Sequence, residues 1–356
     1  MHKRLFIPGP VEVRPDVLEK MALPMIGHRS QDASNLQRRI TEKLQHLFYT
    51  KEAILLSTSS GSGLMEGAIR SCTAKRAACF SAGAFGKRWY DMAQSNGVAA
   101  DLYEVEWGQA VTPAMVDEVL ATGKYDLMTI THNETSTGLM NPVEEIAAVW
   151  KKYPDVVVCM DAVSSMGGTR IEVDRLGVDI CITSTQKALG LPPGMAICSF
   201  SRQAIERAKQ VPERGYYLDL LALYEYIIKK DYQYPSTPSL SHMYALDYQL
   251  DRIMEEGLTE RFARHIEMAE RVRDWARNNF ALFPDERYLS NTLTTIKNTR
   301  AIDVGALNRE LGERGFQISN GYGKLRDATF RIAHMADCTI QDVEELLYNI
   351  DDILGL

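Results

Sequence analysis

The feature that most constrains the fold is a series of short, continuously apolar runs separated by helix-like segments. The runs do not alternate with polar residues, as is typical of strands buried on both faces of a sheet, and intervening helices favour parallel neighbours. Six runs occur, at residues 53–56, 77–80, 127–130, 156–160, 180–183 and 195–200. The pattern predicts an α/β fold with a mostly parallel sheet, whose ligands bind beyond the carboxyl ends of the strands.

The pattern changes after Pro238. Helical periodicity predicts helices at 239–256 and 259–280, and Thr339 with Asp342 forms a candidate capping box for a last helix at 339–354. Between them we expect strands at 292–297, 316–319 and 329–333 and a helix at 303–314. We therefore predict an N-terminal segment (1–20) that could pack on either domain, a large cofactor-binding domain (21–250) and a small C-terminal α+β domain (251–356).

Charge and composition exclude several classes of protein. The 356 residues carry a net charge of −7, which argues against a nucleic-acid partner. No apolar run approaches the roughly 18 residues of a membrane span, and the N-terminus lacks the apolar core of a secretory signal. The six cysteines form no CxxC pair, as in a protein with reduced thiols. We expect a cytoplasmic protein that binds neither nucleic acid nor membranes.

A loop rich in serine and glycine, residues 57–67, follows the first buried run and precedes a helix. Small residues at a helix N-terminus let backbone N–H groups approach a phosphate. The spacing of Gly61, Gly63 and Gly67 is one residue longer than the dinucleotide fingerprint, and no acidic residue closes the next strand. A phosphate cup and a turn without a ligand both remain open from this loop alone.

Two charged residues follow later buried runs. Asp161 ends one strand, where it could bind a metal, face a protonated ring nitrogen or simply cap a helix. Lys187 comes 26 residues later, just past the next strand. A desolvated lysine forms Schiff bases with carbonyl groups, whereas most lysines lie on the surface. A phosphate cup, an acid at a ring nitrogen and such a lysine together fit pyridoxal 5′-phosphate.

The order of these motifs resembles the class V pyridoxal-phosphate aminotransferases, specifically the alanine–glyoxylate / serine–pyruvate aminotransferase family of fold type I. The motifs are PGP at 8–10, SSGSGLMEGA at 59–68, HNETSTG at 132–138, DAVSS at 161–165, STQKA at 184–188 and TFRI at 329–332. Each is weak alone, but their order over nearly the whole chain is specific. The resemblance implies a large domain with a mostly parallel sheet of the seven-stranded type and a smaller C-terminal α+β domain.

The resemblance also implies a role for each cofactor-binding residue. Lys187 is expected to form the Schiff base and to shuttle the proton, with Asp161 as the partner of the ring nitrogen. Ser60, Gly61, Ser62 and Gln186 are expected to bind the phosphate. The remaining contacts are expected from Thr135 to the phenolic oxygen, from Val163 to one ring face and from Phe85 to the other.

Substrate and partner assignments follow in the same way. Arg331 resembles the residue that clamps the substrate carboxylate, and Gly9 is assigned to substrate binding with it. Tyr234 and Thr237 match residues that reach the phosphate of a neighbouring subunit, which implies a homodimer with shared active sites. The activity expected is ping-pong transfer of an amino group from alanine or serine to glyoxylate or pyruvate.

Two alternatives remain from the sequence, and a third is excluded. A lyase or cysteine desulfurase needs a nucleophilic cysteine, for which Cys338 is the candidate, although desulfurases usually stack a histidine where Phe85 stands. An accessory subunit of a redox complex is possible because relatives of this pattern carry that label. A nicotinamide dehydrogenase is excluded because the sequence lacks the acidic residue that would bind the ribose of the cofactor. The histidine spacings do not match metal motifs, so we expect no metal.

Overall fold

A computed structural model describes residues 2–356. The α-helices are α1 Pro15–Met21, α2 Gln31–Phe48, α3 Gly61–Cys72, α4 Ala84–Ser95, α5 Pro113–Leu120, α6 Val143–Trp150, α7 Val173–Leu176, α8 Arg202–Gln210, α9 Leu220–Lys229, α10 Leu240–Glu256, α11 Leu258–Asn279, α12 Val304–Glu313 and α13 Ile340–Leu354. The strands are β1 Arg4–Phe6, β2 Ala53–Ser57, β3 Ala77–Ser81, β4 Ala100–Glu104, β5 Leu127–Thr131, β6 Asn133–Glu134, β7 Leu139–Met140, β8 Val157–Asp161, β9 Ile180–Ser184, β10 Ala196–Phe200, β11 Ala281–Leu282, β12 Leu293–Lys297, β13 Phe316–Asn320 and β14 Thr329–Ala333.

The larger sheet has seven strands in the order β2-β10-β9-β8-β5-β3-β4. Strand β10 runs antiparallel to both of its neighbours, and the other strand pairs are parallel. Helices cover both faces. One face packs against α2, α5, α6 and α10, and the other against α3, α4, α8 and α9. This coverage explains why the strands are apolar along their whole length, because both faces of each strand are removed from water.

The smaller sheet has five strands in the order β1-β13-β14-β12-β11. Strand β1 pairs in parallel with β13, and the other pairs are antiparallel. The N-terminal segment therefore contacts both parts of the chain, because β1 joins this sheet while α1 packs against α10. Helices α11, α12 and α13 bury their apolar faces on it. The division of the chain into domains at residue 250 stays a prediction.

The strands predicted from continuous apolar runs are confirmed, as are the later helices and strands. The predicted capping box is also present, because the Thr339 side chain and the Asp342 carboxylate each bond the other's backbone N–H. Strand β4 was not predicted. It lies at the edge of the large sheet and carries Asp101 and Glu104, so it lacks the apolar signature of its neighbours.

Candidate active site

Three strands of the large sheet run in the same direction and end at the same edge. They are β2, β8 and β9, which end at Ser57, Asp161 and Ser184. Ser57 and Ser184 both pair with Ala196, which lies between them on β10. The loops that follow these strands carry the predicted phosphate cup, Val163 and Lys187. The topology thus brings together segments that are more than 100 residues apart in the sequence.

The side chain of Lys187 is enclosed by the N-terminal segment. Its ammonium group donates a hydrogen bond to the carbonyl oxygen of Pro8. Gly9 has a φ of +91°, and a Cβ atom built there would lie 2.7 Å from Lys187 Cδ and 2.9 Å from Nζ. Burial, with the nearby charge of Arg331, lowers the pKa of Lys187 to about 8. The amine is therefore easier to deprotonate than an exposed lysine.

Asp161 is buried at the end of β8, only 5% exposed. Its Oδ1 atom accepts a hydrogen bond from the backbone N–H of Val163 at 2.8 Å, and turns rather than a helix follow. Burial raises the pKa of Asp161 to about 6, while the charges of Lys187 and Arg88 act in the opposite direction. A cationic ring nitrogen beside this carboxyl would favour its ionised form.

The predicted phosphate cup lies at the N-terminus of α3. Ser60 is the N-cap residue, but its side chain makes no capping hydrogen bond, so it is available to a ligand. A Cβ on Gly61 would lie 2.8 Å from Val163 Cγ2, so only glycine lets the backbone approach Val163 this closely. Two buried polar atoms on the neighbouring segment 184–186, Ser184 Oγ and Gln186 Oε1, have no hydrogen-bond partner within residues 2–356.

These features fit pyridoxal phosphate. A buried amine, a buried carboxyl and unpaired backbone N–H groups at a helix N-terminus match its aldehyde, ring nitrogen and phosphate. Buried polar atoms are normally paired in a folded protein, so Ser184 Oγ and Gln186 Oε1 are available to bond a polar ligand.

Phe85 is positioned by a buried carboxylate. It lies in the first turn of α4, and its backbone N–H and that of Gly86 donate to Glu134 at 3.1 and 2.9 Å. The Phe85 ring lies 5.4 Å from the ring of Tyr322, measured between centroids. Sequence reasoning missed Glu134 and Tyr322 because both act through contacts across the fold.

Thr135 lies beside the segment that follows Asp161. Its hydroxyl forms a 2.6 Å hydrogen bond with that of Ser164, and its carbonyl oxygen accepts from Arg331 Nη1 at 3.1 Å. Thr135 and Arg331 are therefore neighbours, although 196 residues separate them. Direct contacts of Thr135 and Val163 with a cofactor stay predictions.

Arg331 projects from β14 and is 8% exposed. Its guanidinium donates to the carbonyl oxygens of Thr135 and Asn320 but forms no ion pair within residues 2–356. Burial lowers the pKa of Arg331 to about 10, and the Tyr322 ring lies 5.6 Å from Cζ. A buried cation is costly without an anion, so this geometry is suited to binding a carboxylate ligand.

Tyr234 is buried against its own chain. Its hydroxyl accepts a 3.1 Å hydrogen bond from the backbone N–H of Thr58, at the start of the phosphate loop, whereas Thr237 is exposed. Arg29 donates to the carbonyl oxygens of Tyr234 and Pro235 and so is committed to holding this segment. A role for Tyr234 and Thr237 in a partner's site stays a prediction.

Cys338 does not have the properties of a nucleophile. Burial raises the pKa of its thiol to about 12, so the thiol is protonated near neutral pH.

Among residues 2–356, no group of three or more His, Cys, Asp or Glu side chains is arranged to hold a metal ion. No helix in the same range is long and apolar enough to cross a membrane.

Comparison with known proteins identifies the family of the chain. The model of the family described as aminotransferase class V matches residues 20–343. The chain belongs to the class V aminotransferases. An uncharacterised aminotransferase of Methanocaldococcus jannaschii is 39% identical over 349 residues, which cover 96% of this chain and 90% of the relative. The predicted family, fold type and enzyme class, a transaminase, are confirmed.

Three further similar proteins differ in their described activities. An L-aspartate–glyoxylate aminotransferase of Paracoccus denitrificans is 30% identical, over 94% of this chain and 87% of the relative. A protein of Anabaena cylindrica described as the 42 kDa subunit of a soluble hydrogenase is 30% identical, over 98% and 92%. The crystal structure of alanine–glyoxylate aminotransferase from Nostoc superimposes with a TM-score of 0.93 at 27% identity, covering 99% of this chain and 96% of that one.

Proposed function

We propose that this aminotransferase binds pyridoxal phosphate and transfers the amino group of alanine or serine to glyoxylate or pyruvate by a ping-pong mechanism. The observation that carries the proposal is the convergence of Lys187, Asp161 and Arg331. Asp161 and Arg331 are buried and Lys187 is half-buried, and the charge of each of Asp161 and Arg331 shifts the pKa of Lys187. A lysine nucleophile, a carboxyl for a ring nitrogen and a cation for a carboxylate are what the reaction requires.

The cofactor, when bound, supplies an aldehyde that binds amines and a ring that accepts electrons. Lys187 would hold the aldehyde, and Asp161 would face the ring nitrogen. The cup of Ser60, Gly61 and Ser62 would hold the phosphate with Gln186, and Phe85 and Val163 would enclose the ring.

The protein's own contribution begins with binding of the amino acid. Arg331 donates to the α-carboxylate of the donor, which orients its Cα–H bond. Lys187, whose pKa of about 8 leaves an appreciable fraction neutral near pH 7.5, takes the proton from Cα. The same amine would deliver that proton to the carbon that carried the cofactor's aldehyde, and the donor would leave as a 2-oxo acid with an oxygen taken from water. The second substrate, another 2-oxo acid, would reverse these steps.

A small donor side chain fits the surroundings of Arg331. Tyr322 lies against both Phe85 and the Arg331 guanidinium, so its ring fills space beside the expected carboxylate position. Two cations that could have bound a second carboxylate, Arg29 and Lys324, are otherwise engaged. Arg29 bonds to backbone carbonyls, and the Lys324 ammonium lies 4.4 Å from the centroid of the Trp107 ring. Alanine or serine therefore fits better than aspartate.

We also propose that the chain functions as a homodimer. Tyr216 and Tyr217 are 95% and 52% exposed beside the phosphate loop, and the Tyr217 hydroxyl donates to the Thr58 carbonyl oxygen at 3.2 Å. Exposed aromatic side chains at a binding site are typical of a protein–protein interface. Light scattering during size-exclusion chromatography tests this, and an active monomer would contradict it.

The test of function is the visible absorption of the purified protein with pyridoxal phosphate, followed while L-alanine, L-serine or L-aspartate is added separately. We expect an absorption band that one of the first two amino acids bleaches and that glyoxylate or pyruvate restores. Lys187→Ala should lose the band and abolish turnover. A response to L-aspartate alone would refute the proposed donor. Formation of L-alanine from L-cysteine, with sulfide released when a thiol reductant is added, would favour a desulfurase.

A further inference from the structure

The Arg88 side chain lies at the phosphate cup, yet the function proposed above does not use it. It comes one turn after Phe85 on α4. Its Nη1 atom donates to Ser62 Oγ at 3.2 Å, and its Cζ atom lies 4.6 Å from the centroid of the Phe85 ring. Arg88 therefore contacts both a residue of the cup and the aromatic ring expected to stack on the cofactor.

No carboxylate neutralises Arg88 within residues 2–356. Its neighbour on the same helix, Lys87, is exposed and forms an ion pair with Asp91 at 2.5 Å. Arg88 is half-buried instead, and its charge lowers the pKa values of Asp161 and Lys187, so it acts on the interior of the site. A partly desolvated guanidinium without an acid is suited to an anionic ligand.

We propose that Arg88 binds the phosphate group of the cofactor and makes the site selective for pyridoxal phosphate over unphosphorylated pyridoxal. The proposal rests on the function proposed above. The Ser62 hydroxyl holds the guanidinium beside the N-terminus of α3, whose N–H groups supply neutral donors and a partial positive charge. A phosphate carries nearly two negative charges, and a full cation compensates them more completely than helix N–H groups alone.

The other anion that could meet Arg88 is the side-chain carboxylate of a dicarboxylic donor such as aspartate. The contacts favour the phosphate, because the hydrogen-bond partner of Arg88 is Ser62, a member of the cup. The substrate cation, Arg331, instead contacts Thr135 and Asn320.

The test compares the affinities of the full-length protein for pyridoxal phosphate and for pyridoxal, measured by absorption titration. Arg88→Met should weaken binding of pyridoxal phosphate by about 10- to 100-fold, the usual effect of losing one charge-assisted hydrogen bond. Binding of pyridoxal, which lacks the phosphate, should change by less than about twofold. Arg88→Lys keeps the charge and should give an intermediate loss. Lys87→Met removes the same charge one residue away and should alter neither affinity.

Failure of the inference is separable from failure of the proposed function. If the unmodified protein binds neither compound, the proposed function fails, and the inference with it. If it binds pyridoxal phosphate and Arg88→Met binds it equally well, only the inference is overturned. If Arg88→Met weakens the binding of pyridoxal phosphate and of pyridoxal equally, the substitution disturbs the site as a whole. Unchanged cofactor affinity with a selective loss of the L-aspartate response would make Arg88 a substrate residue. Either result overturns the inference.

Discussion

Replacing Asp161 with asparagine is expected to stabilise the cofactor-free protein while it impairs the enzyme. Asparagine keeps an oxygen that can accept from the Val163 N–H, but it carries no charge to bury. The wild-type carboxyl has a folded-state pKa of about 6 against an ordinary 3.8. When folding raises the pKa of a carboxyl group, the shift has no effect on stability at pH values below the pKa of the unfolded state. It destabilises the folded state increasingly as the pH rises from that pKa to the pKa of the folded state.

The size of the effect follows from these two pKa values. At pH 8 the carboxyl is ionised in both states, and the difference of about two pKa units costs the folded wild type roughly 3 kcal/mol. At pH 5 the folded carboxyl is mostly protonated, and the same relation gives a cost of roughly 1.6 kcal/mol. The stability advantage of Asp161→Asn should therefore widen by about 1.4 kcal/mol between pH 5 and pH 8.

The assay is urea unfolding of both proteins at the two pH values, at one protein concentration and after removal of cofactor with hydroxylamine. Comparing the pH values cancels any packing change that the substitution makes, since that change does not titrate. Saturation with pyridoxal phosphate should remove or reverse the advantage, because a cationic ring nitrogen stabilises the ionised aspartate. An advantage that stays constant with pH would refute the argument that burial controls this carboxyl.

Three further predictions concern the surroundings of Lys187 and Arg331. Gly9→Ala should greatly reduce cofactor binding and activity, because its Cβ would overlap the Lys187 side chain. The control is Gly97→Ala, which has a similarly positive φ but open space around it and should cost only roughly 1–3 kcal/mol of unfolding free energy. Equal activities of the two variants would contradict the overlap. The rate at which the cofactor-free protein reacts with pyridoxal phosphate should rise with pH, with a midpoint near pH 8, because only the neutral amine of Lys187 reacts. The rate is measured by trapping the Schiff base with borohydride. A midpoint near the pKa of an exposed lysine would contradict the burial of this amine. Tyr322→Ala should raise the kcat/KM for L-2-aminobutyrate relative to that for L-alanine by about tenfold, as expected for one added methylene. Tyr322→Phe, which keeps the ring, should leave this ratio unchanged. An unchanged ratio in Tyr322→Ala would show that the ring does not limit the size of the substrate side chain.

The fold could be predicted because its signals are local. Continuous apolar runs predicted six strands of the large sheet, and helical periodicity predicted α10 and α11 within two residues at each end. The edge strand β4 escaped prediction because a strand with an exposed edge does not need an apolar sequence. The N-terminal strand β1 has only three residues and is stabilised by pairing with β13, more than 300 residues away.

The sequence by itself determined which segments are candidates to carry chemistry, because strand ends and a glycine-rich turn place Asp161, Lys187 and Ser60–Ser62 at one edge of the sheet. Only the tertiary structure decided how their charges interact. Arg88 and Tyr322 stand in none of the motifs, and Glu134 stands in one that gave it no role; all three reach the site through contacts between separate elements. The pKa values of Asp161 and Lys187 depend on burial and on neighbours that are distant in the chain, since desolvation and Coulomb energy depend on distance in space and not in sequence.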